Sequence, residues 1–277
     1  MIAQLDNKVI SSFLLFVDHS LQSTGQAFFN TSGLFYQVPS NIANTYCYAS
    51  TYKSLCNDKS VTGVTVLSGI YLNNVPISIG QSGYQGINHY QGMLYFTGAL
   101  PAGTVVSGDF GVKEFSVQLT DKPEWKLLFD TKYVSNNSSP SSVTGLDIEV
   151  KTSPIVFIKP KIQDSRPFAL GGMDNSQIRL RAIIVADNEY QKIAASCVLK
   201  NLNYRFLPIA LSTPFSPLGT LTGTNFYHYN NLAFDSIYQP MILSVKVIDI
   251  PQDGNFKNIN RNMAMVDFDI SVLIRHW

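Results

Sequence analysis

Four histidines, three cysteines and two closely spaced aspartates are the residues of this chain best suited to chemistry. Their spacing argues against most of it. His19, His89, His228 and His276 stand far apart, and none lies at metal-ligand spacing from another or from a cysteine. Cys47, Cys56 and Cys197 form no CxxC pair, so neither a metal site nor a redox motif is expected, and no cofactor. Asp267 and Asp269 are two apart in an alternating run and therefore share one strand face. In a cleft such a pair can do acid–base work; on an open face it is solvated charge that blunts an edge strand, which is the expectation here. Arg179 and Arg181 likewise share a face and can pair with acidic groups of a neighbouring subunit or of their own chain. Gly80, Gly83 and Gly86 lack the GxGxxG spacing and the following helix of a phosphate loop. No Gly-x-Ser-x-Gly elbow presents a nucleophile. The chain is not expected to be an enzyme.

The composition bounds the alternatives. The chain has 277 residues, of which 45% are hydrophobic, 12% aromatic and only 14% charged. That charge is low against about 25% in ordinary soluble domains. A surface so poor in ions suits a subunit packed against others. Net charge is +1, too small for tight nucleic-acid binding by counterion release. An odd number of cysteines without a framework fits a reducing compartment, although a Cys47–Cys56 bridge is open by separation. The run Phe13-Leu14-Leu15-Phe16-Val17 is too short to span a membrane and is followed by Asp18-His19. It reads as a buried strand, and the chain is expected to be neither secreted by the general route nor integral to a membrane.

The elements that must position these residues fall into two halves. Residues 1–135 read as β structure. Gln26–Val38, Val64–Leu72, Val75–Ile79, Met93–Thr97, Thr104–Phe110 and Glu114–Leu119 are short strands with turn signals between them, the pattern of a sandwich or barrel. Ser40–Lys59 reads as a Tyr-rich loop. Asp121 is placed to cap a short helix over Lys122–Asp130, with Trp125, Leu128 and Phe129 inward. Residues 136–145, NNSSPSSVTG, read as a linker.

Residues 146–277 read as an α+β unit with an antiparallel sheet and one main helix. Ile155–Lys159 and Ser176–Ala186 are strands. Asp187 is placed to cap a helix over Asn188–Asn201, whose Tyr190, Ile193, Ala194, Cys197 and Val198 form one apolar stripe. A long loop follows, then strands over Met241–Ile250 and Met263–His276. The fold class is therefore α+β, mostly β.

Two stretches carry a resemblance. Gly69–Val75, Gly80–Ile87, Met93–Phe96, Gly108–Phe115, Leu127–Tyr133 and Pro167–Gly172 resemble short motifs of virion structural proteins of marine tailed bacteriophages. The order strand, helix, long loop, strand, Asn260-Arg261-Asn262 loop, strand is similar to that of tail-terminator and neck proteins. The resemblance implies a ring, sixfold, that caps the tail tube or joins it to the head. It also implies contacts with other neck, tail-tube or sheath proteins, incidental contact with DNA in the channel, and a place in the virion after assembly in the host cytoplasm. A baseplate or capsid-decoration subunit is the alternative within that class. A carbohydrate-binding β module, drawing on exposed tyrosines and Asp267 and Asp269, is the rival from another class.

The interface residues expected from the sequence are Arg179, Arg181, Phe215, Phe226, Tyr227, Tyr229 and Phe234. The last five lie in the Ser212–Gln239 loop, which holds more aromatics than a solvated loop needs.

Overall fold

A computed structural model describes residues 3–40, 42, 44–129, 131–135, 151–161, 164–169, 173–215, 221, 224–238, 240–250 and 262–275. The fold is α+β and mostly β, as expected. The linker expected at 136–145, the Asn260-Arg261 turn and His276 lie outside the described residues.

The first element overturns its expectation. Residues Ala3–Ser23 are a helix, α1, and not a strand. Leu5, Val9, Phe13, Val17 and Leu21 recur every fourth residue and are all buried in one core. That spacing puts them on one side of a helix. The five-residue apolar run hid it, because Leu14 adds to the same core from its margin and Leu15 packs in a separate cluster.

The β-rich first half forms one curled, seven-stranded antiparallel sheet. Its strands are β1 (Phe28–Val38), β2 (Tyr46–Ser50), β3 (Ile70–Leu72), β4 (Val75–Ile77), β5 (Tyr84–Asn88), β6 (Met93–Phe96) and β7 (Val106–Lys113), in the order β4-β3-β7-β1-β2-β6-β5. The Tyr-rich loop thus contains a strand, β2. The long strand expected from Val64 shrinks to β3. Residues 64–69 instead run along β7, held by Asn30, whose amide donates to Gly63 O and accepts from Thr65 N. Gly83 turns the chain before β5 with φ of 77°, and a Cβ there would meet Thr97 Oγ1 at 2.7 Å.

The second sheet draws on both halves of the chain. It comprises β8 (Ser116–Leu119), β11 (Ile155–Pro160), β12 (Asp164–Ala169), β13 (Met173–Ala186), β14 (Met241–Asp249) and β15 (Asn262–Arg275). Its order is β14-β15-β13-β11-β8, with β12 also on β13. All pairs are antiparallel except β8 with β11, which run parallel. A small parallel pair joins β9 (Tyr133–Ser135) to β10 (Lys151–Ser153). One face of the six-stranded sheet is covered by α1 and by α3 (Glu189–Lys200); Phe13 meets Phe268 edge-on with ring centroids 4.8 Å apart. Phe13→Ala should cost about 3–5 kcal/mol through the cavity it leaves.

On the opposite face, α2 (Glu124–Phe129) covers Ile155, Phe157, Ile183 and Val185 with Leu127. Trp125 and Phe129, expected inward, are exposed. A six-residue helix has room for one buried stripe, and Leu127 takes it.

Asn188, not Asp187, caps α3. Its side chain accepts from Gln191 N at 2.9 Å, while the Asp187 N–H donates back to Gln191 Oε1. Most of the expected apolar stripe also faces the other way, although Val198 packs against the core. Lys192, Ala195 and Leu199 are buried, whereas Tyr190, Ile193 and Cys197 are exposed.

Candidate functional site

The charges singled out in the sequence meet one another across the second sheet. Register places Arg181 opposite Asp267 and Arg179 opposite Asp269. Arg181 donates from Nε and Nη2 to both Asp267 oxygens at 2.7 and 2.9 Å, and from Nη1 to Glu124 at 3.2 Å. Lys161 completes the cluster on Asp267 at 2.8 Å, and Lys159 lies 3.3 Å from Glu124. Burial would raise the Asp267 carboxyl, but Arg181 and Lys161 hold it below the usual carboxylate range. Arg179 and Asp269 are half exposed and 3.4 Å apart. The edge-blunting role expected from sequence is not theirs, because β15 lies between β13 and β14; the aspartates neutralise arginines across the sheet. Asp267, locked by two cations, is not free to exchange protons near neutral pH.

The described residues between 212 and 238, a strap, pack first on their own chain. Tyr227 and Tyr229 are buried with Leu15 of α1, Ala210 and Leu221, and Phe215 and Phe234 pack against them half buried. Backbone bonds tie the strap down: Tyr227 N donates to Asn57 O at 2.9 Å and Lys59 N to Tyr227 O at 2.8 Å. Phe226 is half buried with the Lys59 ammonium 4.6 Å from its ring centre. Tyr227 and Tyr229 therefore serve the chain's own core.

Behind the strap lies a buried polar seam that joins α1 to the first sheet. Lys113 at the end of β7 donates to Asp18 at 2.7 Å, both side chains being nearly sealed from solvent. One residue on, His19 Nδ1 lies 2.6 Å from the fully buried Asp58 carboxylate, and its ring stacks on Tyr229 at 4.4 Å. Asp58 also accepts from the N–H groups of Ser60 and Tyr229 at 2.9 and 3.0 Å. Burial alone would push this carboxyl up, but the bonds from His19, Tyr229 and Ser60 together hold it below its ordinary value. Sequence spacing could not find this set, because Asp58 lies 39 positions from His19 and 171 from Tyr229, and Lys113 lies 95 from Asp18.

Burial also sets the state of the groups around the seam. Cys56, beside it, has its thiol pushed up to about 12 by burial, which leaves it a poor nucleophile. Burial, helped by the Lys113 charge, pushes His89 down to about 3, so its imidazole is neutral. A cleft of about 370 Å³ opens nearby between α1, Leu55, Val117 and Leu119. The ring nitrogens of His89, the Asn57 amide oxygen and the Tyr90 hydroxyl in its lining are sealed beneath its surface. Among the described residues no three His, Cys, Asp or Glu side chains are grouped to hold a metal ion, and no helix is long and apolar enough to cross a membrane. All three cysteines are free.

The outward surface carries a different set of residues, which sequence reasoning missed. Tyr204, Phe206, Leu211 and Ile237 are exposed around the strap, with Phe206 64% accessible. Phe206, Pro208, Phe234 and Tyr238 rim a shallow depression there. β14 ends the sheet on this side. Tyr204–Leu207 covers its start by hydrogen bonds to Pro240 and Ile242, and Leu243–Asp249 has no strand beside it on the open side among the described residues. Compared with protein-family models the sequence matches none, and compared with curated proteins it matches none.

Proposed function

We propose that this chain is a non-enzymatic structural subunit of a tailed-phage virion, forming a ring at the head–tail junction or tail end. The carrying observation is how its apolar residues divide around the strap. Tyr227 and Tyr229 lock the segment to its own chain, while Tyr204, Phe206, Leu211 and Ile237 stand exposed on the same region. A prefixed loop that presents apolar side chains loses little entropy when a neighbour covers it. The open side of β14 adds a row of backbone groups that a neighbouring strand can pair with. A closed ring covers every such edge and leaves no free end.

The station and the sixfold symmetry rest on the resemblance of element order. Partners are then other neck, tail-tube or sheath proteins, with DNA touched only in passing, and the protein resides in the virion after assembly in the host cytoplasm. A baseplate or capsid-decoration station would use the same surfaces. The carbohydrate-binding reading is less supported, because Asp267 is already held by Arg181 and Lys161.

Mass photometry of the purified protein, with its location in a virion map, tests the reading. A ring is expected, and Phe206→Ser with Ile237→Ser should weaken assembly about tenfold with the circular dichroism spectrum unchanged. A protein that stays monomeric at every concentration and is missing from purified virions would overturn it.

A further inference from the structure

Helix α3 is inverted in polarity. Its buried side holds a lysine: Lys192 is 7% exposed and is bonded to Asp249 of β14 at 2.7 Å and to Glu189 at 2.9 Å. Its solvent side holds Tyr190, 81% exposed, Ile193, 51% exposed, and Cys197. Tyr190 and Cys197 are seven residues apart, close to two turns, with Ile193 between them, so the three form one stripe. A helix that sinks a lysine and exposes an apolar stripe presents a surface that needs cover.

The charges beside the stripe indicate what covers it. Glu189 and Lys200 are both exposed and sit at opposite ends of α3. They are eleven residues apart, close to three full turns, so they flank the stripe on the same side. A twofold axis that sets two such helices antiparallel keeps each flank on its own side and exchanges the ends. Each Glu189 then lies beside Lys200 of the second copy, twice over, and each Tyr190 lies against Cys197 of the second copy. Parallel packing about a twofold axis would carry each flank to the opposite side of the pair and leave Glu189 and Lys200 without these partners.

We propose that two copies of this chain pair through antiparallel α3 helices about a twofold axis centred near Ile193 and Ala194. One helix pair is a small interface, so the dimer is weak and concentration-dependent. It uses no residue of the strap or of the open β14 edge, and it holds or fails independently of the ring reading.

Cysteine crosslinking of the full chain reads the geometry directly. Tyr190→Cys should give a disulfide-linked dimer under mild oxidation, through Cys197 of the second copy, and Tyr190→Cys with Cys197→Ser should give none. The unsubstituted chain should not crosslink, because its two Cys197 residues are displaced by about 10 Å along the axes, beyond disulfide reach. Sedimentation velocity gives the second readout. Glu189→Lys should weaken the dimer about tenfold, since two attractive pairs become repulsive. Adding Lys200→Glu should restore it. Lys200 faces solvent, and Lys192 keeps Asp249 when Glu189 is replaced, so circular dichroism should show the fold retained in each variant. Absence of the Tyr190→Cys crosslink, or failure of the charge exchange to restore association, would overturn the proposal. Loss of Phe206-dependent rings with both α3 results intact would count only against the ring reading.

Discussion

Two ionic clusters in this molecule use the same side-chain chemistry in opposite surroundings. The seam sets Asp18 against Lys113 and His19 against Asp58 between α1 and the first sheet, sealed from water. The open face of the second sheet sets Arg181 and Lys161 on Asp267, with Glu124 on the other side of Arg181, and Arg179 against Asp269, progressively closer to solvent. The sealed cluster joins segments far apart in sequence and has no water to replace a lost partner. The open cluster joins strands that one ladder already holds, with Glu124 added from α2, and salt screens it. Burial therefore makes the first a structural lock and leaves the second mainly a solubilising face.

The comparison is broken most directly at Lys113. Lys113→Ala leaves Asp18 buried without its cation and should destabilise the fold by about 3–5 kcal/mol, read by urea unfolding. A loss equal to that of an exposed lysine would mean that water reaches the seam.

Asp58 comes next. Asp58→Asn removes the charge that His19 and the two N–H groups satisfy and should cost about 1–3 kcal/mol. It should also change the acid profile. In the unfolded chain this carboxyl titrates near ~3.9, and in the fold it titrates lower. Its contribution is fully present above the unfolded value and is lost as pH falls through the folded one. Unfolding free energies at neutral pH and between about pH 4 and 2 should show a steeper acid loss for the unsubstituted protein than for Asp58→Asn. Parallel profiles would remove Asp58 from the lock.

The open face should respond less. Arg181→Ala removes a bidentate bond and a second partner at a site only partly exposed, and should cost about 1–2 kcal/mol. Arg179→Ala should cost under about 0.5 kcal/mol, and the difference between the two should narrow in high salt. Equal, salt-independent losses at both positions would erase the gradient on which the comparison rests.

Much of the second sheet was legible in the sequence, and α1 was misread, for one physical reason. Alternation in Val266, Phe268, Ile270 and Val272 marks a strand with one buried face, and that is what β15 is. In α1 the four-residue recurrence of Leu5, Val9, Phe13, Val17 and Leu21 was equally visible. It was masked by Leu14, which packs at the margin of the same core, and by Leu15 and Phe16, which reach the strap. A helix packed on two sides shows no clean polar face, so its period is obscured. The exposed stripe of α3 was found as a stripe, but its direction was not legible. Asp249, 57 positions away on β14, joins Glu189 in making burial of Lys192 tolerable, with Tyr190 turned outward.

The sequence by itself determined what is local: strand alternation, the capping region of α3, the low charge, and the lack of any ligand or nucleophile spacing. The tertiary structure alone decided the parallel entry of β8 beside β11, the descent of Tyr227 and Tyr229 into the chain's own core, and the joining of His19 to Asp58. These choices depend on contacts between distant segments. Side-chain type fixes how favourable such a contact is once made, but only the packing of whole elements brings the partners within reach.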